Sequence, residues 1–462
     1  MSRLIVISNR VNPPTRDDGE GTVGGLAMAL AAALREYQGV WFGWSGNTVE
    51  KYTGELSVRE VFGVTVATLD LDEQDVQEYY NGYANKTLWP LFHYRIDLTA
   101  YERSFGTGYD RVNRRFAEAV APLIKPDDII WVHDYHLIPL ARELRRLGVR
   151  NRIGFFLHIP WPARQLVVTL PRQRQLVEAL FDYDLVGFQS EDWLDAFEGF
   201  VRKEAGGAIT ADNRATAFGK TTCVGAFPIG IDAERLVAAT GSAEAQGVQR
   251  RMTESLAGRR MILGVDRLDY SKGLEERFLA YEQCLTDHPD LREKVFLLQI
   301  APHSRDAVEA YQDIRVTLEA LTGRINGAFA TVDWVPIRYV NTSHRRDELI
   351  GLYRSAAVGL VTPMRDGMNL VAKEYVAAQD PANPGVLVLS RFAGAASQMQ
   401  EALIVNPYSR EEVSDAIKRA LEMPLAERIR RWQRLMAGVM ADDVGAWRDS
   451  YVAALGNCGA AK

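Results

Sequence analysis

TPMRDGMNLVAKE, Thr362 to Glu374, follows the apolar run AAVGLV and leads into residues of helical spacing. It reads as a strand ending, a glycine-bearing turn and a helix beginning. Such a junction aims backbone N–H groups and the positive end of a helix dipole beyond the sheet edge, which suits a diphosphate. Asp366 and Glu374 stand towards the two edges of the stretch. Carboxylates repel phosphate but accept from paired hydroxyls, so the stretch fits a diphosphate flanked by sugar diols, as in a nucleotide sugar. Turn chemistry alone also puts Gly and Asp in such loops, and Asn369 reads equally as a helix N-cap.

Working outward, short unbroken apolar runs recur in the first half: LIVIS (4–8), the start of DDIIWVHDYHLIPLARELRRLG (127–148), RIGFFLHIPWP (152–162) and YDLVGFQ (183–189). The form returns in MILGVDRLDYSKGLEERFLAYEQCL (261–285), KVFLLQIAPHSRD, TVDWVPI, AAVGLVTP, GVLVLS and ALIVNP. Alternating with helical segments, these runs predict parallel strands buried on both faces and an α/β fold. A chain of 462 residues is expected to make two domains of about 200 residues each. Segment 233–259, rich in small and polar helix formers, marks the junction. ITADNRATAFGK reads as a loop and SREEVSDAIKRALEM opens with a capping-box pattern. PLAERIRRWQRLMAGVMADDVGAWRDSYVAAL reads as helix almost to its end.

A net charge of −6 supplies no basic field over the whole chain, which argues against nucleic acid or an anionic membrane as the main partner. No run of about 18 apolar residues predicts a membrane helix, and MSRLIVISNR lacks the long apolar region of a signal peptide. The three cysteines, Cys223, Cys284 and Cys458, are far apart and form no CxxC pair. Neither a disulfide framework nor a zinc site is expected from them, and a reducing cytoplasm fits.

Residues able to carry chemistry gather after the predicted strands, where doubly wound sheets bind ligands. The first strand ends in Asn9 and Arg10, and the loop NPPTRDDGEGTVGG behind it does not match the GxGxxG fingerprint, which counts against a nicotinamide dehydrogenase. The segment DEQDVQEYYNGYANKTLWPLFHY interleaves Tyr80 and Trp89 with Asn81, Asn85 and Lys86. Most aromatics are core, but aromatic faces beside amides suit a sugar. The WVHDYHL loop carries His133, Asp134 and His136, and with no third ligand at a recognisable spacing a polar substrate contact is preferred to a metal. His158 closes another strand. Arg267 and Lys272 share the loop DRLDYSKG, where two cations could clamp a diphosphate and stabilise it as a leaving group. Arg305 follows the next strand, and no nucleophile with its base stands out.

Taken together, ISNR, GGLA, WFGWSG, EYYN, LWPLFHYR, WVHDYHL, FFLHIPWP, VDRLDYSKG, IAPHSR, TPMRDGMNLVAKEYVAAQ and VLSRFAGA run nearly end to end. In these motifs the chain resembles the trehalose-6-phosphate synthases, retaining glycosyltransferases of family 20. The resemblance implies a GT-B fold, two Rossmann-like doubly wound lobes facing across a cleft. Residues 1–240 would form the acceptor lobe and 241–440 the nucleotide-sugar lobe, with a C-terminal helix at about 441–458 packing back on the first.

It implies transfer of glucose from a nucleotide-glucose to glucose 6-phosphate, giving α,α-trehalose 6-phosphate. UDP-glucose is the first donor expected, with GDP- and ADP-glucose left open. Arg10, Tyr80, Trp89, Asp134 and Arg305 would hold the acceptor. Gly24, Gly25, Arg267, Lys272, Asp366, Gly367, Met368, Asn369, Leu370 and Glu374 would hold the donor, with Glu374 on the ribose. Arg267, Lys272, Asp366 and His158 would form the catalytic set, His158 lying against the donor sugar. Neither a cofactor nor a catalytic metal is implied, a homo-oligomer is expected, and loop 15–23 is left without a role. The competing readings are a pseudo-glycosyltransferase coupling a cyclitol analogue and a non-catalytic sugar-phosphate sensor.

Overall fold

The computed structural model describes residues 3–11, 34, 39–61, 63–305 and 308–458. Its described residues fall into two compact units, one reaching to Pro228 and resuming at Gly445, the other spanning Ile229–Val444. The chain thus changes unit ahead of segment 233–259, whose helix formers make the helices Ala233–Ala239 and Ala243–Leu256 of the second unit.

The first unit is built on β1 (Leu4–Arg10), β2 (Val40–Val49), β3 (Ser57–Val61), β4 (Val64–Asp72), β5 (Ile129–His133), β6 (Ile153–Phe156), β7 (Leu185–Phe188), β8 (Ala208–Ile209), β9 (Arg214–Ala217) and β10 (Lys220–Ala226). They form one sheet in the order β3-β4-β2-β1-β5-β6-β7-β10-β9-β8. The strands from β4 to β10 in that order are parallel, and β3, β9 and β8 add antiparallel edges. Leu4, Ile5, Val6 and Ile7 are all buried, as an interior parallel strand covered on both faces requires. The order reverses between β1 and β5, so the loops after these two strands flank the switch point.

ITADNRATAFGK, expected as a loop, supplies β9 and the turn into β10. Phe218 and Gly219, both at positive φ, close that hairpin. Small residues alternating in and out along Arg214–Ala217 left no apolar run to read.

The second unit holds β11 (Arg260–Val265), β12 (Val295–Ile300), β13 (Ile337–Val340), β14 (Val358–Val361), β15 (Val386–Ser390) and β16 (Leu403–Val405). The sheet order is β13-β12-β11-β14-β15-β16, parallel throughout, with the reversal between β11 and β14. This is the doubly wound order of a dinucleotide-type sheet. TVDWVPI is mostly turn: Trp334 buries its ring and donates from Nε1 to Val295 O at 2.8 Å, and the strand begins only at Ile337. Ser409 caps the helix Arg410–Glu422 by accepting from Glu412 N at 3.2 Å, but the Glu412 carboxylate turns to Asn406 N, so the reciprocal half of the box is absent.

The long run read as one terminal helix breaks at Asp442–Asp443, between Leu425–Ala441 and Val444–Asn457. Val444 N donates to Ile231 O at 3.2 Å, and from Gly445 the chain belongs to the first unit. There Trp447, Tyr451 and Leu455, four apart, bury one face of the last helix. Tyr451 stacks on Trp131 with centroids 4.5 Å apart and donates to Phe155 O at 2.9 Å. Gly154 and Gly187 admit it: a Cβ at either would lie 2.5 or 2.7 Å from Tyr451 atoms.

The same return corrects the cysteine reading. Cys223 on β10 and Cys458 beyond the last helix form a disulfide with Cα atoms 6.2 Å apart, 235 residues separated in sequence. Cys284 is free and buried, which pushes its thiol up to about 12. Among the described residues no helix is long and apolar enough to cross a membrane.

Candidate active site

At the switch point of the second unit, β14 runs into the turn that enters the helix Leu370–Ala378. Asn369 is the N-cap at φ +79°, a left-handed conformation that Asn tolerates, and its side chain accepts from Ala372 N at 3.3 Å. The first turn of the helix contains no acidic residue to offset its dipole. Asp366 is held by Lys272 Nζ at 2.5 Å and by Asn369 Nδ2 at 3.1 Å. Its backbone is stitched to 392–394 by Asp366 N to Phe392 O at 3.0 Å and Gly394 N to Asp366 O at 3.2 Å. Gly367, Met368 and Leu370 complete the turn, and Ala395 N fixes Met368 O at 2.8 Å. The loop that looked apt for a diphosphate is therefore a braced one, with an ammonium at its centre.

Arg267 and Arg305 share a counter-ion. Asp269 Oδ2 lies 3.9 Å from Arg267 and 3.8 Å from Arg305, and it accepts from Tyr311 OH at 3.1 Å. Arg305, at φ +55°, donates to the Tyr311 hydroxyl at 2.6 Å. Beneath both loops, Arg277 is fully buried and binds Asp266 at 2.5 Å, Gln299 at 2.8 Å, Thr362 at 2.9 Å and the carbonyl of Lys272 at 3.3 Å. One guanidinium thus ties the ends of β11, β12 and β14 to the lysine loop. Glu374, one turn along the helix, lies 3.3 Å from the Tyr353 hydroxyl. Burial lifts its carboxyl above the usual range, against the pull of the Arg346 guanidinium.

In the first unit Arg10, Asp134 and His158 stand at or just past the ends of β1, β5 and β6, while Tyr80 and Trp89 lie on the helical segment that follows β4. Arg10 lies over the Trp44 ring at 5.7 Å, Trp44 meets Tyr80 edge-on at 5.5 Å, and Tyr80 stacks on His136 at 6.0 Å. His136 touches Tyr135 at 3.9 Å and Tyr135 touches Trp89 at 5.7 Å. The aromatic segment is thus a continuous ring ladder, and Val76–Leu88 within it is wound as a π-helix, a form frequent at functional sites. Asp134, at φ +78°, accepts from His158 N at 3.1 Å. His158 and His133 face each other, Nδ1 of His133 lying 3.0 Å from Nε2 of His158.

Arg10, Tyr80, Trp89, Asp134 and His158 thus gather in the first unit, and Arg267, Lys272, Asp366, Asn369 and Glu374 in the second, together with Arg305. Gly24 and Gly25 lie outside the described residues, as does loop 15–23. Among the described residues no three His, Cys, Asp or Glu side chains converge as a metal-binding group.

A sequence model described as Glycosyltransferase family 20 matches residues 2–457. The chain belongs to glycosyltransferase family 20. A family 20 relative from Sinorhizobium fredii, called trehalose-6-phosphate synthase, is 49% identical over 449 residues, 97% of each chain. Another of that name from Cronobacter sakazakii is 48% identical over 452 residues, 98% of this chain and 94% of the other. Among solved structures, an α,α-trehalose-phosphate synthase (UDP-forming) from Burkholderia xenovorans in complex with glucose-6-phosphate superposes with a TM-score of 0.95 at 49% identity, covering 99% of this chain and 100% of that one. A structure named "Trehalose-6-phosphate from E. coli bound with UDP-2-fluoro glucose" gives a TM-score of 0.94 at 47% identity over 99% of both chains. The parallel α/β architecture read from the apolar runs is the one these family 20 structures share.

Several residues that brace these strand-end loops escaped the sequence reading. Asp269 stands in the quoted DRLDYSKG, but nothing in its spacing tells that two arginines converge on it. Arg277 sits in LEERF, where a charged residue on a helix reads as solvated. Trp44, within β2, and Gln189, just past β7, have no pattern of their own in the sequence.

Proposed function

We propose that the protein is a retaining glucosyltransferase that moves glucose from a nucleotide-glucose to glucose 6-phosphate, giving α,α-trehalose 6-phosphate and a nucleoside diphosphate. The observation that supports this most directly is the braced Lys272–Asp366–Asn369 turn at a helix N-terminus, with Arg267 in the neighbouring strand-end loop. Cations and a dipole there suit a departing diphosphate, while Asp366 and the 367–370 turn suit sugar hydroxyls. Glu374 takes the ribose hydroxyls.

Arg10, Tyr80, Trp89, Asp134 and Arg305 take glucose 6-phosphate, the two arginines towards its phosphate. In the step itself the acceptor hydroxyl bonds to the anomeric carbon on the face that the diphosphate leaves. Its proton passes to an oxygen of the departing phosphate, so no protein nucleophile, cofactor or catalytic metal enters. UDP-glucose is the first donor, with GDP- and ADP-glucose as the other candidates, and a cytoplasmic homo-oligomer completes the reading.

The deciding experiment supplies glucose 6-phosphate with UDP-, GDP- and ADP-glucose in parallel and reads both released nucleotide and disaccharide phosphate. Both products in equal amounts with at least one donor are expected. Tight binding without product from any donor would overturn the reading in favour of a sensor, and product only with a cyclitol acceptor in favour of the coupling enzyme.

A further inference from the structure

We infer that His133 and Gln189 are positioning residues which lock the His158 imidazole in one plane and one tautomer, as a fixed surface for the donor sugar. The inference rests on the reading above, which sets His158 against that sugar. Both ring nitrogens of His158 are engaged inside its own unit: Nε2 lies 3.0 Å from His133 Nδ1, and Nδ1 lies 3.2 Å from the Gln189 side-chain amide. The Gln189 Nε2 amide donates to His158 Nδ1, so the ring carries its single proton on Nε2 and donates it to His133 Nδ1.

The supports are rigid. His133 and Gln189 are each 1% exposed, so neither can swing to solvent. His133 is gripped by Trp131 at 4.6 Å and stacked on His158 at 5.3 Å, while Trp447 of the last helix lies 6.1 Å from His158. The backbone is tied as well, by His158 N to Asp134 Oδ1 at 3.1 Å and Asp134 N to Phe156 O at 2.8 Å. Burial pushes His158 down to about 3 and His133 well below its usual value, so neither ring gains a proton near neutrality. With both nitrogens occupied, His158 serves as shape and surface for the sugar and not as an acid or base.

Three variants of the full chain test this. His133→Phe keeps a ring but removes the nitrogen, His133→Asn returns a side-chain amide near the lost Nδ1, and Gln189→Met removes the other partner. In His133→Phe and Gln189→Met, kcat should fall about 10- to 100-fold with the KM for glucose 6-phosphate within about twofold of wild type. His133→Asn should recover most of the loss. A second readout is independent of the acceptor: the affinity ratio of nucleotide-glucose to nucleoside diphosphate should fall about tenfold in His133→Phe with diphosphate binding unchanged. Wild-type kinetics and an unchanged ratio in both nitrogen-removing variants would overturn the inference, and so would equal losses for acceptor and donor. If His133→Phe does not fold, Gln189→Met decides. A wild type that makes no trehalose 6-phosphate would overturn the proposed function, whereas the affinity ratio would still judge the positioning role.

Discussion

At the scale of single residues, Arg267 and Arg305 separate by what each is asked to hold, although Asp269 anchors both. Arg267→Ala should lower turnover by about 100-fold or more, because a cation aimed at a developing diphosphate acts in the transition state. Near-normal turnover would remove it from that role. Arg305→Ala should instead raise the KM for glucose 6-phosphate by roughly tenfold, the value of one charged hydrogen bond. An unchanged KM would take it out of the acceptor site. Glu374 shows the cost of a functional carboxylate. Burial raises its folded-state pKa, so its contribution to stability is fully present below the ordinary carboxylate range and is lost as pH rises through the raised value. Glu374→Gln should therefore melt at a higher temperature than wild type at pH 7, with the gap closing towards pH 4 or so, while nucleotide affinity falls. A gap that is the same at both pH values would show that ionisation is not the cause.

At the scale of elements, loops at strand ends are precise here because something beneath them is fixed. Arg277 joins three strand ends of the second unit through Asp266, Gln299 and Thr362. Removing one partner of a buried ion pair strands the other, so Arg277→Met should cost about 3–5 kcal/mol in denaturant unfolding. Because Arg277 also holds the Lys272 carbonyl, the same variant should weaken donor binding more than acceptor binding. Loss of stability without loss of donor affinity would make Arg277 a purely structural residue. The π-helix of Val76–Leu88 is the corresponding device in the first unit, since it sets Tyr80 against Trp44 and His136.

At the scale of the whole molecule, the last helix and the Cys223–Cys458 disulfide close the first unit with residues from the far end of the chain. A link spanning 235 residues restricts the unfolded chain strongly, worth about 2–4 kcal/mol in typical cases. A thiol reductant should lower the wild-type melting temperature and leave Cys458→Ser unmoved. Two alkylatable thiols at these positions in untreated protein, with no response to reductant, would sink the prediction. The apolar runs LIVIS, MILGV and GVLVLS were legible as buried strands, because parallel strands covered on both faces leave no other composition open to them. Loop motifs such as DRLDYSKG and TPMRDGMNL were legible too, since a cation or a turn at a strand end serves few chemistries. The edge hairpin at 214–226 was not, for its small residues carry no apolar period. The sharing of Asp269, the burial of Arg277, the His133–His158–Gln189 chain and the disulfide were decided only by the tertiary structure. Each joins residues whose separation in sequence carries no constraint until the sheets bring them within a few ångströms.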